Sequence, residues 1–242
     1  MTDTDDDAPL SLPDLRRWVS EGTYRWMVEE VEKDERWKEE MEAEENAGAN
    51  LFGNEDDDDD DNEEEGPRRR VHSWSSDARK GDGSSAVTVA YVLSESHEGY
   101  GDQVWGSSWH VSNLLADPDE CRSLLDLGPP SPGGEDDADD GRRRRHPLVG
   151  VGFLELGAGA GIPSWTAMRC GARVVCTDLE NADRIRCMAE CAERNWREMT
   201  KASGDVDGDD DDAELRHGQG ARCCPYDWGK PVDRLLADGM PD

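Results

Sequence analysis

Residues 152–165 read Gly-Phe-Leu-Glu-Leu-Gly-Ala-Gly-Ala-Gly-Ile-Pro-Ser-Trp. Gly157, Gly159 and Gly161 stand at alternate positions, after an apolar run that carries Glu155. Glycine supplies positive φ where a tight loop needs it and removes side chains that would block a closely approaching ligand. Asp178 lies 21 positions beyond Gly157, at the end of the next apolar run. From there a carboxylate can accept hydrogen bonds from both hydroxyls of a ribose. Loop and acid together point to an adenine nucleotide or nucleoside. The dinucleotide fingerprint G-x-G-x-x-G opens a helix toward a pyrophosphate. Here the spacing is G-x-G-x-G, and Ile162 stands where that fingerprint has its last glycine. Glu155 beside the loop opposes a pyrophosphate and suits a ligand that carries a sulfonium and an ammonium. This chemistry points to S-adenosylmethionine.

The elements that must hold these residues are legible around them. Leu148–Leu156 is a continuous apolar run broken only by glycines and Glu155, the pattern of a strand buried on both faces. Pro163 suits the first turn of a helix and Gly171 its stop. Arg173–Asp178 reads as a second strand ending in an acid. Residues 180–200 form an amphipathic helix with Ile185, Met188, Ala189, Ala192, Trp196 and Met199 on one face. Ala221–Tyr226 is a short third strand running into Asp227-Trp228-Gly229. Strand, glycine loop, helix, strand, helix, strand is half of a doubly wound α/β sheet. Upstream, Val87–Leu93 is rich in strand formers. Residues 103–128 carry a helical face, with a break at Asp117-Pro118.

At these residues the chain resembles the class I S-adenosylmethionine-dependent methyltransferases, in their nicotinamide N-methyltransferase-like or protein-lysine methyltransferase branch. Three features carry the resemblance: Val104-Trp105-Gly106 before a helix, residues 153–178 with the loop and its acid, and Asp227-Trp228-Gly229 after the third strand. It spans residues 86–242, inserts excepted, and implies a Rossmann-like doubly wound sheet of which this chain holds the N-terminal half. It further implies that Gly157, Ala158 and Gly159 lie against the methionine part of S-adenosyl-L-methionine and that Asp178 holds the ribose. Trp228 would pack beside the adenine, and Trp105 would close over the cofactor. Glu155 would sit beneath the loop, orienting it or a water on the cofactor amine. Ordinary core packing is the alternative for each tryptophan. The implied activity is methylation of a protein lysine or N-terminal amine, with a translation factor among the candidate substrates. The acceptor pocket of related families uses the end of a fourth strand. KPVDRLLADGMPD, at the end of this sequence, has no apolar strand followed by an acid and an aromatic. The expectation is therefore a C-terminally truncated domain, inactive alone, and no catalytic residue is named.

The remaining sequence sets bounds. The formal net charge is −31, concentrated at Asp3–Asp7, Glu55–Glu65, Glu135–Asp140 and Asp205–Glu214, with a Glu-rich stretch from Glu29 to Glu45. Such blocks self-repel and bury too little apolar surface to offset ordering entropy. Residues 1–85 are thus expected to be an acidic, largely disordered region with a loosely attached charged helix over 11–46 and no core of their own. Segments 129–147 and 203–220 are expected to be low-complexity inserts. A field of this sign disfavours nucleic acid. No run of about 18 apolar residues is present, so no membrane span is expected. An acidic N-terminus without an apolar h-region suggests a cytoplasmic protein, or a nuclear one. Seven cysteines at irregular spacings suit reduced thiols. Cys187, Cys191 and Cys223-Cys224 make a zinc site conceivable, but no C-x-x-C pair accompanies them. His110 reads as a structural residue of the helix after Trp105. Two rival functions remain: a non-catalytic acidic interaction module on a vestigial methyltransferase fold, and a dinucleotide-dependent oxidoreductase.

Overall fold

The structure is a computed structural model and describes residues 10–49, 70–77, 86–93, 103–127, 146–202, 220–233 and 235. In chain order its elements are α1 (Leu12–Leu15) running into a 3-10 turn (Arg16–Trp18), α2 (Glu21–Ala49), β1 (Val71–Ser75), β2 (Thr88–Val92), α3 (Gly106–Ala116), α4 (Pro118–Leu124), β3 (Gly152–Leu156), α5 (Ile162–Arg169), β4 (Arg173–Asp178), α6 (Ala182–Ala202) and β5 (Ala221–Pro225). Among the described residues β3, β4 and β5 form a parallel sheet with β4 in the centre, and β1 pairs antiparallel with β2. The class is mixed α/β. The four main acidic blocks, and nearly all of both expected inserts, lie outside the described residues.

Local sequence explains the regular half. α5 starts after Gly161, at φ 66°, with Pro163 in its first turn, where a missing N–H costs nothing. It stops at Gly171, whose φ of 97° lets its N–H reach the Met168 carbonyl at 2.9 Å. The expected break at Asp117-Pro118 is a helix start: the Asp117 carboxylate accepts from the amides of Asp119 and Glu120 at 2.9 and 3.0 Å. Asn181 caps α6 through the Arg184 amide at 3.0 Å. That cap places the Arg184 side chain on the first turn after β4.

α5 and α6 cover one face of the sheet, burying Val174, Cys176, Ala221 and Cys223 with Ile185, Met188 and Ala192. Both helices also contact β2. Asn195 of α6 donates to the Ala90 carbonyl at 2.7 Å and accepts from its amide at 3.0 Å, so a side-chain amide satisfies that strand edge. The other face of the sheet is covered only in part, where Leu235 and Tyr226 pack on Val175 and Cys224.

Four expectations are corrected. β3 is not buried on both faces: Leu154 and Leu156 are 49% and 44% exposed, because helices cover only the face that holds Phe153 and Glu155. Residues 1–85 do contribute core, since Leu10, Leu15, Trp18, Val19 and Met27 are all buried. Order does not begin near Ala86 either, because β1 pairs with β2 from Val71 onward. The boundary drawn at residue 85 therefore cuts through a hairpin. The N-terminal helix is fastened rather than loose: Glu193 of α6 accepts from Trp18 Nε1 at 2.8 Å and from Arg17 at 2.6 Å. Farther along α2, Lys33 pairs with Glu30, and Arg36 donates to the Glu32 carbonyl.

Candidate functional site

The carboxyl ends of β3 and β4 lie side by side, with Leu156 opposite Thr177. Thr177 Oγ1 donates to the Glu155 carbonyl, and the Ala158 amide donates to the Thr177 carbonyl, both at 2.9 Å. These bonds fix where the glycine loop leaves the sheet. The loop turns through Gly157, Gly159 and Gly161 at φ of 68°, 55° and 66°, a region closed to most side chains. The three glycines answer to different neighbours. A Cβ at Gly161 would lie 2.8 Å from Trp165 Nε1, and one at Gly157 would lie 3.6 Å from the Trp228 indole. A Cβ at Gly159 would meet nothing within 4 Å. Gly161 is thus a packing glycine, whereas Gly159 faces open space.

That space is a cleft of about 690 Å³, within the range of small-molecule sites. Trp105, Val104 and Val111 border it from the N-terminal end of α3; Glu155, Gly157, Ala158 and Gly159 border it from β3 and the loop; Asp178 borders it from β4 and Trp228 from beyond β5. All seven residues singled out from the sequence are therefore brought to one cleft: Trp105, Glu155, Gly157, Ala158, Gly159, Asp178 and Trp228. Trp105 and Trp228 are 53% and 73% exposed, which sets both apart from ordinary core packing.

The two acids are held differently. Glu155 Oε2 accepts from the amide of Ser164 at 3.0 Å and from its hydroxyl at 2.5 Å. Ser164 lies in the first turn of α5, whose cap residue is a glycine with no side-chain oxygen to offer. Glu155 fills that role across space. Burial pushes its carboxyl up to about 7; the Ser164 hydrogen bonds pull the other way, and Asp178 adds to the rise. Asp178 is only 4% exposed. Its Oδ2 accepts from the Gly159 amide at 2.6 Å, and its Oδ1 accepts from the Leu179 amide at 2.7 Å and from Arg184 at 3.1 Å. The acid of β4 thus grips the glycine loop of β3.

Sequence reasoning missed Arg184 and Ser164. Arg184 sits among Asp183, Ile185 and Arg186 with no spacing signature. Ser164 was findable as the residue after Pro163 in a helix whose start was legible. Cys187, Cys191, Cys223 and Cys224 are buried, and burial raises the Cys191 and Cys223 thiols well above their ordinary range. Among the described residues no group of His, Cys, Asp or Glu is arranged to hold a metal ion, and no helix is long and apolar enough to cross a membrane. His110 is exposed on α3 and does not line the cleft. No protein-family model matches this chain, and no curated protein matches it either.

Proposed function

We propose that this chain is an S-adenosylmethionine-dependent methyltransferase on a Rossmann-like, doubly wound sheet, acting on a protein lysine or N-terminal amine in the cytoplasm or nucleus. The observation that carries the reading is the meeting, in one cleft, of a glycine loop whose central Cβ position is empty and an acid on the neighbouring strand bonded to that loop. The residues present fit the cofactor. Gly159 leaves room for a methionine part, Asp178 offers a carboxylate at the end of β4 as an acceptor for ribose, and Glu155 puts an acid beneath the loop. When bound, S-adenosylmethionine supplies an electrophilic methyl group on a sulfonium. The chain's own contribution is positional: two strand ends and the first turn of α5 are cross-tied, so the loop backbone and Glu155 are held in place before a ligand arrives. The exposed Trp105 and Trp228 border the cleft and would exclude water from the flanks of a bound ligand.

Arg184 beside Asp178 favours a second reading, a dinucleotide carrying a phosphorylated ribose, since an arginine at this place accommodates a 2′-phosphate. Calorimetric titration of the full chain with S-adenosylhomocysteine and, separately, with NADP separates the two. Binding of the first alone is expected; binding of NADP alone would replace the methyltransferase reading with a redox one.

A further inference from the structure

A carboxylate offers about four lone-pair positions, and three of those on Asp178 are already taken by the Gly159 amide, the Leu179 amide and Arg184. The Arg184 and Asp178 side chains are 14% and 6% exposed, so the pair is largely withdrawn from water. Two ribose hydroxyls cannot both bond a carboxylate in this state. The amide donors belong to the backbone of the loop and the strand end, which the ties to β3 and β4 hold in place. Arg184 is different. Its guanidinium hangs on a flexible stem from the first turn of α6, borders the cleft, and meets Asp178 through a single contact rather than a bidentate fork.

From this geometry we infer that Arg184 is a built-in competitor for the ribose subsite: the cofactor enters only as Arg184 releases Oδ1 of Asp178. The inference rests on the reading of the cleft as a ribose-binding site. No bond is made or broken covalently; one charge-assisted hydrogen bond is exchanged for one from a neutral hydroxyl. A bond to a charged group is worth more than a neutral one, so the exchange is a tax on affinity that the rest of the ligand must offset. The same latch shields Asp178, beside Glu155, when the cleft is empty. Arg184 thus sets how tightly the site holds its cofactor, and a loosely held cofactor is readily exchanged for fresh cofactor after each turnover.

The test is titration of S-adenosylhomocysteine into the full chain as wild type, Arg184→Gln and Arg184→Lys, with circular dichroism and melting on each. Arg184→Gln is expected to bind about tenfold more tightly than wild type, and Arg184→Lys, which keeps the charge as a mobile point, to fall between. If Arg184→Gln is unfolded, Arg184→Lys alone carries the sign. Equal or weaker binding by folded variants, with wild type binding normally, overturns the competitor role and leaves the ribose reading standing. Absence of binding by all three overturns both. Binding of NADP by wild type that is lost in Arg184→Gln also overturns both, and gives Arg184 to a phosphate.

Discussion

Glu155 caps α5 from another element: both donors of Ser164, nine positions away, converge on its Oε2. The cap residue Gly161 has no side chain because its own place, against Trp165, leaves no room for one. One residue satisfies the steric demand of the turn and a second satisfies the helix end. The Glu155-to-Ser164 stretch is therefore a single device, which explains why an acid tolerates a mostly apolar strand.

The pH dependence of stability follows. The folded-state value of Glu155, about 7, lies above its ordinary 4.5. A raised carboxyl contributes stability that is complete below the unfolded value and is lost as pH rises through the folded one. Wild type should therefore lose stability relative to Glu155→Gln between about pH 4.5 and 7, by roughly 2 kcal/mol after discounting for partial exposure. Glutamine keeps an acceptor for Ser164 without a charge to bury. Urea melts of both proteins at several pH values check this, and parallel curves would refute it.

Gly161 and Gly159 should separate folding from binding. Gly161→Ala adds a clash with Trp165, whose Nε1 is tied to the Ala160 carbonyl at 2.8 Å, to the cost of a side chain at positive φ. The expected loss is about 3 kcal/mol. Gly159→Ala bears only the conformational cost, about 1–2 kcal/mol, yet sends its methyl into the cleft. Thermal melts should rank Gly161→Ala as the less stable, while ligand titration should find Gly159→Ala folded but impaired in S-adenosylhomocysteine binding.

How much was readable depended on whether the signal was local. The bounds of β4 match the expected strand Arg173–Asp178 residue for residue, and Gly171 stops α5 at a φ of 97°, a conformation local to the glycine. The face of α6 from Ile185 to Ala192 is buried as its periodicity requires. The long-range ties were opaque. Leu15, Trp18 and Met27 are scattered through a charge-rich stretch, and the partner that fixes Trp18 lies 175 positions on. The open face of β3 was hidden for a different reason: an apolar run reports what a strand can bury, not which neighbours arrive to cover it. Among the site residues, the acids and glycines were legible from spacing, whereas Arg184 was visible only once Asn181 set the phase of α6.

Asp178→Ala should weaken S-adenosylhomocysteine binding by about 2–3 kcal/mol, the loss expected when hydroxyls lose a charged acceptor. It also strands the Gly159 amide and the Arg184 guanidinium, so the melting temperature should fall. Combining it with Arg184→Gln removes the orphaned cation and should recover part of the stability but none of the binding. A double-mutant cycle read by both melting and calorimetry checks the pair; additive stabilities would mean that the two side chains do not interact.

The N-terminal strap should be indispensable to the fold. Glu193 is 5% exposed, and its carboxylate accepts from Trp18 Nε1 at 2.8 Å and from Arg17 and Arg197, each at 2.6 Å. Arg17 lies over the Trp18 and Trp196 rings at 4.6 and 5.6 Å, so aromatic faces and carboxylate share one cation. Nearby, Arg222 donates to the Val19 carbonyl at 3.0 Å, tying the strap to β5 as well. Glu193→Ala leaves a buried indole N–H without an acceptor and two arginines without a counter-charge, which should cost about 3 kcal/mol. Glu193→Gln retains an acceptor and should cost less. Urea denaturation of the two Glu193 variants, with hydrogen exchange at the Trp18 indole, checks the order; an unchanged Glu193→Ala would return residues 10–27 to the status of a detachable tail.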